Sequence, residues 1–249
     1  MIEETLDIET PDGVADALLF RPDTGAAGRG VMHLTDIRGI RDSQREMAAR
    51  LVAEGYVVLM PNIFYRFSKP PVFDVPFPIG DERRMVRFRE LVSPLTPDAI
   101  ERDMSAYIDF FTAQPSIRKG PMALVGYCFS GKLALVGAAM RPSVVAAALS
   151  FHGGGLVNDT PESPHRLLPK IKAALYFGHA DGDRSMPAEA IATLNKALAE
   201  WGGDYESEVY EGARHGWTVP DHVDAYDPPQ AERAFAKLSA LLRRTLNRS

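Results

Sequence analysis

Four stretches of this chain are almost wholly apolar: 56–64 "YVVLMPNIF", 122–127 "MALVGY", 144–152 "VVAAALSFH" and 172–180 "KAALYFGHA". Each is far shorter than the roughly 18–20 apolar residues needed to cross a bilayer. Side chains alternate between the two faces of a strand, so a strand apolar at consecutive positions must be covered on both faces. Antiparallel surface strands do not meet that demand, whereas a parallel sheet with helices above and below does. Between and around the four stretches the sequence turns helical: up to Gly55, then 97–112, 132–140, 187–200 and an amphipathic segment from about 229 to 246. Strand–helix alternation of this kind predicts an α/β protein with a mostly parallel sheet of about seven or eight strands and helices on both faces. In such sheets ligands sit beyond the carboxyl ends of the strands, so candidate functional residues are sought there.

Two alternating segments, "EETLDIET" and "VADALLFRP", flank "PDG" and predict a hairpin at a sheet edge. "GVMHLTD" (30–36) predicts a further short strand. Ser43, with Glu46 three residues on, has the spacing of a capping box at a helix start. Residues 62–97, rich in proline, aromatics and charge, predict an excursion over the surface beside the ligand side. There is neither an internal repeat nor a low-complexity tract, and the 249 residues fit one domain spanning 1–249.

The formal charge of −5 and the scattered basic residues give no electrostatic case for nucleic acid. The acidic N-terminus is unlike a signal peptide. With one cysteine the chain can form no internal disulfide, and a Cys-rich metal site is excluded. These features predict a soluble protein of a reducing compartment, the cytoplasm, with no membrane partner and no cofactor.

That cysteine, Cys128, stands in "GYCFSG", between a predicted strand and a predicted helix. The pattern fits the nucleophile elbow, in which the reactive residue sits on a sharp, strained strand-to-helix turn and small neighbours allow close approach. Gly126, Ser130 and Gly131 are those neighbours, with Ser130 where glycine is usual. The helix start favours a thiolate, and the Phe129 N–H would face a developing oxyanion. A buried filler cysteine is the bland alternative.

Elbow hydrolases place acid and histidine after later strands, in that order. Asp181 and Asp183 follow "ALYFGHA", and His215 follows the last strand in "VYEGARHGW". His152, in "FHGGG", resembles an oxyanion loop, but it follows the nucleophile instead of preceding it. It is therefore set aside, with the glycines read as a flexible strand exit. His165, His179 and His222 are expected to face solvent and His33 to be structural. No histidine pair has metal-ligand spacing, so no metal is expected.

The chain resembles the dienelactone hydrolase (carboxymethylenebutenolidase) family over nearly its whole length. The resemblance rests on "GYCFSG", "LTDIRGIR", "AARLVAEGYVVLMPNIFYR" and "YEGARHGW". It implies an α/β-hydrolase fold and cleavage of a small ester or lactone by a monomer or homodimer. Cys128 is then the nucleophile and His215 the base. The acid is Asp183 by its spacing to Pro187, or Asp181 by its spacing to Gly178. Asp36 matches an acidic residue that contacts the resting thiol, and the Ile37 N–H matches a second oxyanion donor. Val219 stands where well-studied members carry a substrate-binding arginine, and Arg83 and Arg84 are candidates for a second. A broad carboxylesterase or thioesterase, and a non-catalytic thiol sensor on the same fold, are the alternative functions.

Overall fold

The computed structural model describes residues 1–73 and 81–247. Its strands are β1 (Ile2–Thr10), β2 (Gly13–Arg21), β3 (Gly30–Leu34), β4 (Val57–Pro61), β5 (Met122–Tyr127), β6 (Val145–Phe151), β7 (Ala174–Ala180) and β8 (Tyr205–Tyr210). Its helices are α1 (Asp42–Ala53), α2 (Glu82–Val92), α3 (Pro97–Thr112), α4 (Gly131–Met140), α5 (Ala188–Trp201) and α6 (Pro228–Leu246). Among the described residues the strands form one sheet in the order β1-β2-β4-β3-β5-β6-β7-β8. The β1–β2 hairpin is antiparallel and pairs antiparallel with β4. From β4 to β8 every neighbouring pair is parallel.

The pleat divides the apolar strands between two layers. In β5, Ala123, Val125 and Tyr127 join the layer formed with α1 and α6. Met122 and Leu124 join the opposite layer, with α3, α4 and α5. Helix starts follow local chemistry: the Thr96 hydroxyl accepts the Ala99 N–H ahead of Pro97, and Asp227 accepts the Gln230 N–H ahead of Pro228. Helix α5 stops at Gly202, whose φ of 68° suits the left-handed C-terminal position.

Two expectations need correcting. Ser43 does not cap α1. Arg41 occupies the cap position without a side-chain cap bond, and Ser43 is buried inside the first turn. The Arg41 side chain is instead drawn to carboxylates on the neighbouring loops. Residues 62–97 are more than a surface excursion, because α2 lies within them, capped by Asp81. Ile63, Phe64, Val72, Leu91 and Leu95 from this segment are buried in the α3–α4 layer. Its residues 74–80 lie outside the described part.

Helix α1 leaves β3 for β4 on one face, and α3 leads from β4 back to β5 on the other. The winding therefore reverses between β3 and β5. Such a reversal opens a crevice at the carboxyl ends of the two strands, and Cys128 follows β5 directly into it.

Candidate active site

Cys128 has φ of 57°, a left-handed conformation that non-glycine residues rarely take, as a nucleophile elbow requires. The turn closes tightly. A Cβ on Gly126 would lie 2.2 Å from the Ser130 carbonyl oxygen, and one on Gly131 would lie 2.2 Å from Ser150 Oγ. Both positions therefore need glycine. Ser130 is different: its backbone is helical, with φ of −80° and ψ of −5°, so glycine's freedom is not required. Its buried hydroxyl donates to the Leu34 carbonyl (2.6 Å) and accepts the Tyr127 N–H (2.9 Å). The side chain thus ties the end of β3 to the elbow.

Three sequence candidates converge here from three strand ends. His215 Nε2 lies 3.0 Å from Cys128 Sγ, and His215 Nδ1 lies 2.6 Å from Asp183 Oδ2. Asp183 is the carboxylate that meets the histidine. Asp181 is exposed and instead accepts the Gly212 N–H at 3.0 Å. The second oxygen of Asp183 accepts both the N–H and the hydroxyl of Ser185, each at 2.8 Å. Burial pushes the Asp183 carboxyl upward, but the bonds from His215 and Ser185 outweigh it and hold the group below its ordinary range. Burial likewise opposes a charge on His215, yet its bonds to Asp183 and Cys128 prevail and raise it to about 10. The geometry suits an imidazolium bonded to the Asp183 carboxylate on one side and to the Cys128 sulfur on the other.

The loop after β3 carries Asp36 and Ile37. Asp36 is 5% exposed, and Arg41 grips both of its oxygens, at 2.7 and 2.8 Å. Its Oδ1 also accepts the Arg38 N–H at 2.9 Å. Arg41 reaches on to Asp221 at 2.8 Å, on the loop beyond His215. The expected contact of Asp36 with the thiol gives way to this ion network, because a short, buried aspartate is neutralised by the nearer guanidinium. The residues of the network were in plain view, but no local spacing links position 41 to position 221. The Phe129 N–H opens the helical turn 128–130, where no intrahelical acceptor is available to it. Arg83 pairs with Asp81 at 2.7 Å at the exposed start of α2, and Arg84 lies over the Phe73 ring. Val219 is fully buried.

The histidines depart from expectation in two places. His179, expected in solvent, is 1% exposed, because the apolar β7 is covered on both faces. His165 and His222 are half-buried. His152 is 1% exposed and touches the elbow itself, its Nδ1 lying 3.1 Å from the Cys128 backbone nitrogen. The glycines after it do not form a loose exit either. The Gly154 N–H donates to the Cys128 carbonyl (3.2 Å) and the Gly155 N–H to the Ser185 carbonyl (2.9 Å). His33, buried and bonded to Gln44 at 2.6 Å, occupies the structural position expected of it. Among the described residues no cluster of three or more His, Cys, Asp or Glu is arranged to hold a metal ion.

A parallel sheet with a positive-φ residue after its central strand, and an aspartate and a histidine after later strands, defines an α/β-hydrolase. Residues 15–246 match the model of the dienelactone hydrolase family, and the chain belongs to that family, whose members are hydrolases of ester and lactone bonds. A carboxymethylenebutenolidase of Rhodococcus opacus is 29% identical over 205 residues, 80% of this chain and 75% of its own. A Synechocystis sp. protein, provisionally named a carboxymethylenebutenolidase, is 29% identical over 220 residues, 87% of this chain and 86% of its own. Among solved structures, a provisionally named dienelactone hydrolase of Klebsiella pneumoniae superposes with a TM-score of 0.83 at 22% identity. That match covers 96% of this chain and 97% of the other.

Proposed function

We propose that this chain hydrolyses a small ester or lactone through an acyl-thioester on Cys128. The observation that carries the reading is His215, bonded on one side to Cys128 Sγ at 3.0 Å and on the other to Asp183 at 2.6 Å. The Cys128 thiolate attacks the substrate carbonyl carbon, and the carbonyl π electrons move onto oxygen. The Phe129 and Ile37 N–H groups receive that oxyanion, each such donor contributing on the order of 3–4 kcal/mol. Collapse breaks the C–O bond, and the leaving alkoxide takes the proton from His215 Nε2. In a lactone the new hydroxyl stays tethered to the acyl group. Water then attacks the thioester while His215 takes its proton, and the thiolate departs. Asp183 keeps the imidazole in register through both halves. Its ionised state is favoured by the two bonds from Ser185.

The relatives named carboxymethylenebutenolidase support a butenolide-type lactone as the substrate class. Two observations favour a second reading, as an esterase for apolar acyl groups: Val219 is buried where well-studied family members carry an arginine, and Arg83 is engaged by Asp81. Rates on a butenolide and on short aryl esters separate the two. The shared mechanism is tested by Cys128→Ala, which should abolish turnover of both substrates. Hydroxylamine should trap an acyl group from the wild type alone. Activity surviving in Cys128→Ala rejects the mechanism, and an inert wild type with an alkylatable thiol favours the sensor.

A further inference from the structure

His152 is a buried histidine bonded to the Cys128 backbone that the mechanism leaves unused. Its bonding settles its chemical state. Nδ1 lies 3.1 Å from the Cys128 backbone nitrogen, which can only donate, so Nδ1 carries no proton. A ring without a proton on Nδ1 is neutral and carries its proton on Nε2. Nε2 lies 2.8 Å from Thr218 Oγ1, which therefore accepts. The ring packs edge-on to His215, with centroids 5.2 Å apart, and to Trp217 at 5.0 Å. Its own backbone is left-handed, with φ of 40°, and the His152 N–H donates to the Gly178 carbonyl at 2.7 Å. Two non-glycine residues with positive φ, Cys128 and His152, are thus joined by one hydrogen bond, from the backbone of one to the ring of the other.

Strain of this kind persists only where the surroundings over-determine it. The Cys128 N–H is the natural restraint on the elbow, since it is the group that a change in the turn's dihedrals would swing.

We propose that His152 is a positioning residue: as the neutral Nε2–H tautomer, fixed by Thr218, it takes the Cys128 N–H on Nδ1 and so holds the thiol in line with His215. The proposal rests on Cys128 being the nucleophile. It concerns the rate of the chemical step and leaves substrate binding aside.

The test is made on the full chain with an aryl ester, and independently by ¹⁵N NMR of the histidine rings near pH 7. Thr218→Val removes the acceptor for Nε2–H without touching the strained backbone, freeing the ring to change tautomer. Misplacing a reacting group by about 1 Å costs on the order of 10²-fold, so Thr218→Val should lower kcat by about 10-fold or more at unchanged KM and with cooperative unfolding retained. His152→Leu, which removes the Nδ1 acceptor, should lower kcat further. His152→Asn, whose amide oxygen can accept the same N–H and which tolerates positive φ, should recover much of the loss. The wild-type NMR signature should be a neutral His152 protonated on Nε2. A ring protonated on Nδ1, or a kcat in Thr218→Val equal to wild type, overturns the proposal. The ring signature does not depend on turnover. A chain that survives Cys128→Ala with activity therefore rejects the thioester mechanism, while the His152 tautomer is read separately.

Discussion

At the scale of the residue, two aspartates two positions apart show how little spacing decides and how much a single bond does. Asp183 is buried against His215, whereas Asp181 is exposed and bonds a backbone N–H. Asp183→Asn should lower kcat by roughly 10²–10⁴-fold, through loss of the carboxylate that fixes the tautomer and stabilises the imidazolium. Asp181→Asn should leave kcat within about twofold, as exposed substitutions commonly do. Equal losses in the two variants would remove Asp183 from the machinery. His215 carries the pH dependence. Its value rises from 6.5 to about 10 on folding. The native state therefore binds the proton more tightly than the unfolded chain does, and the stability this contributes is present in full below pH 6.5. It is lost as pH climbs through about 10. The stability difference between wild type and His215→Gln, measured by urea unfolding, should thus shrink between these limits. A difference that grows with pH would show a histidine that is neutral when folded. The convergence of Cys128 and His215 with one of two candidate acids was legible, because elbow hydrolases place these residue types after strands in a set order. His152 was not legible. Its role comes from a ring bonded to a main-chain N–H 24 positions away, and no residue pattern announces such a bond.

At the scale of the element, α2 went unseen inside a segment read as a surface excursion, whereas the apolar strands and the other helices declared themselves, since burial on both faces and amphipathic spacing are local signals. The start of α1 did not. Arg41 there holds the loop of Ile37 to the loop beyond His215, through Asp36 on one side and Asp221 on the other. The side chain of Asp36 is 7% exposed and that of Arg41 is 14% exposed, so this pair is largely out of water. Removing one partner of a buried pair leaves an uncompensated charge, at a cost of about 3–5 kcal/mol. Arg41→Met should therefore lower the urea midpoint strongly. It should also reduce kcat in the molecules that remain folded, because the loop bearing the Ile37 N–H loses its anchor. A variant with wild-type stability would mean that Asp36 finds water or another cation. Ser130 belongs to the same joint from the other side: its hydroxyl on the Leu34 carbonyl fastens β3 to the elbow. Expecting glycine at that position assumed a conformational need, and the helical backbone there shows none.

At the scale of the whole molecule, the apolar layers and the candidate site occupy different parts of the sheet. The groups of the site sit on loops beyond the carboxyl ends of β3, β5, β7 and β8, while the two apolar layers lie along the strands. Helix α6 closes one layer. It packs on β5, β6 and β7 and buries Leu238, Leu241, Leu242 and Leu246. Its outward side is ringed by ion pairs such as Arg50–Glu232 at 2.7 Å, with side chains 40% and 62% exposed. Exposed pairs of this kind contribute about 0–1 kcal/mol each, so the helix is held by its leucines. Leu242 is fully buried, and Leu242→Ala should cost about 2–5 kcal/mol through lost burial and the cavity left behind. Its kcat, measured well below the lowered melting temperature and per folded molecule, should equal the wild-type value, since Leu242 belongs to the α6 layer while Cys128, Asp183 and His215 lie on loops beyond the strand ends. Raising the salt concentration should change the melting temperature of either protein little. A marked fall in kcat for folded Leu242→Ala would show that the α6 layer sets the spacing of β5 and β6 finely enough to move the elbow. Stability and reactivity would then be coupled through the sheet instead of being divided by it.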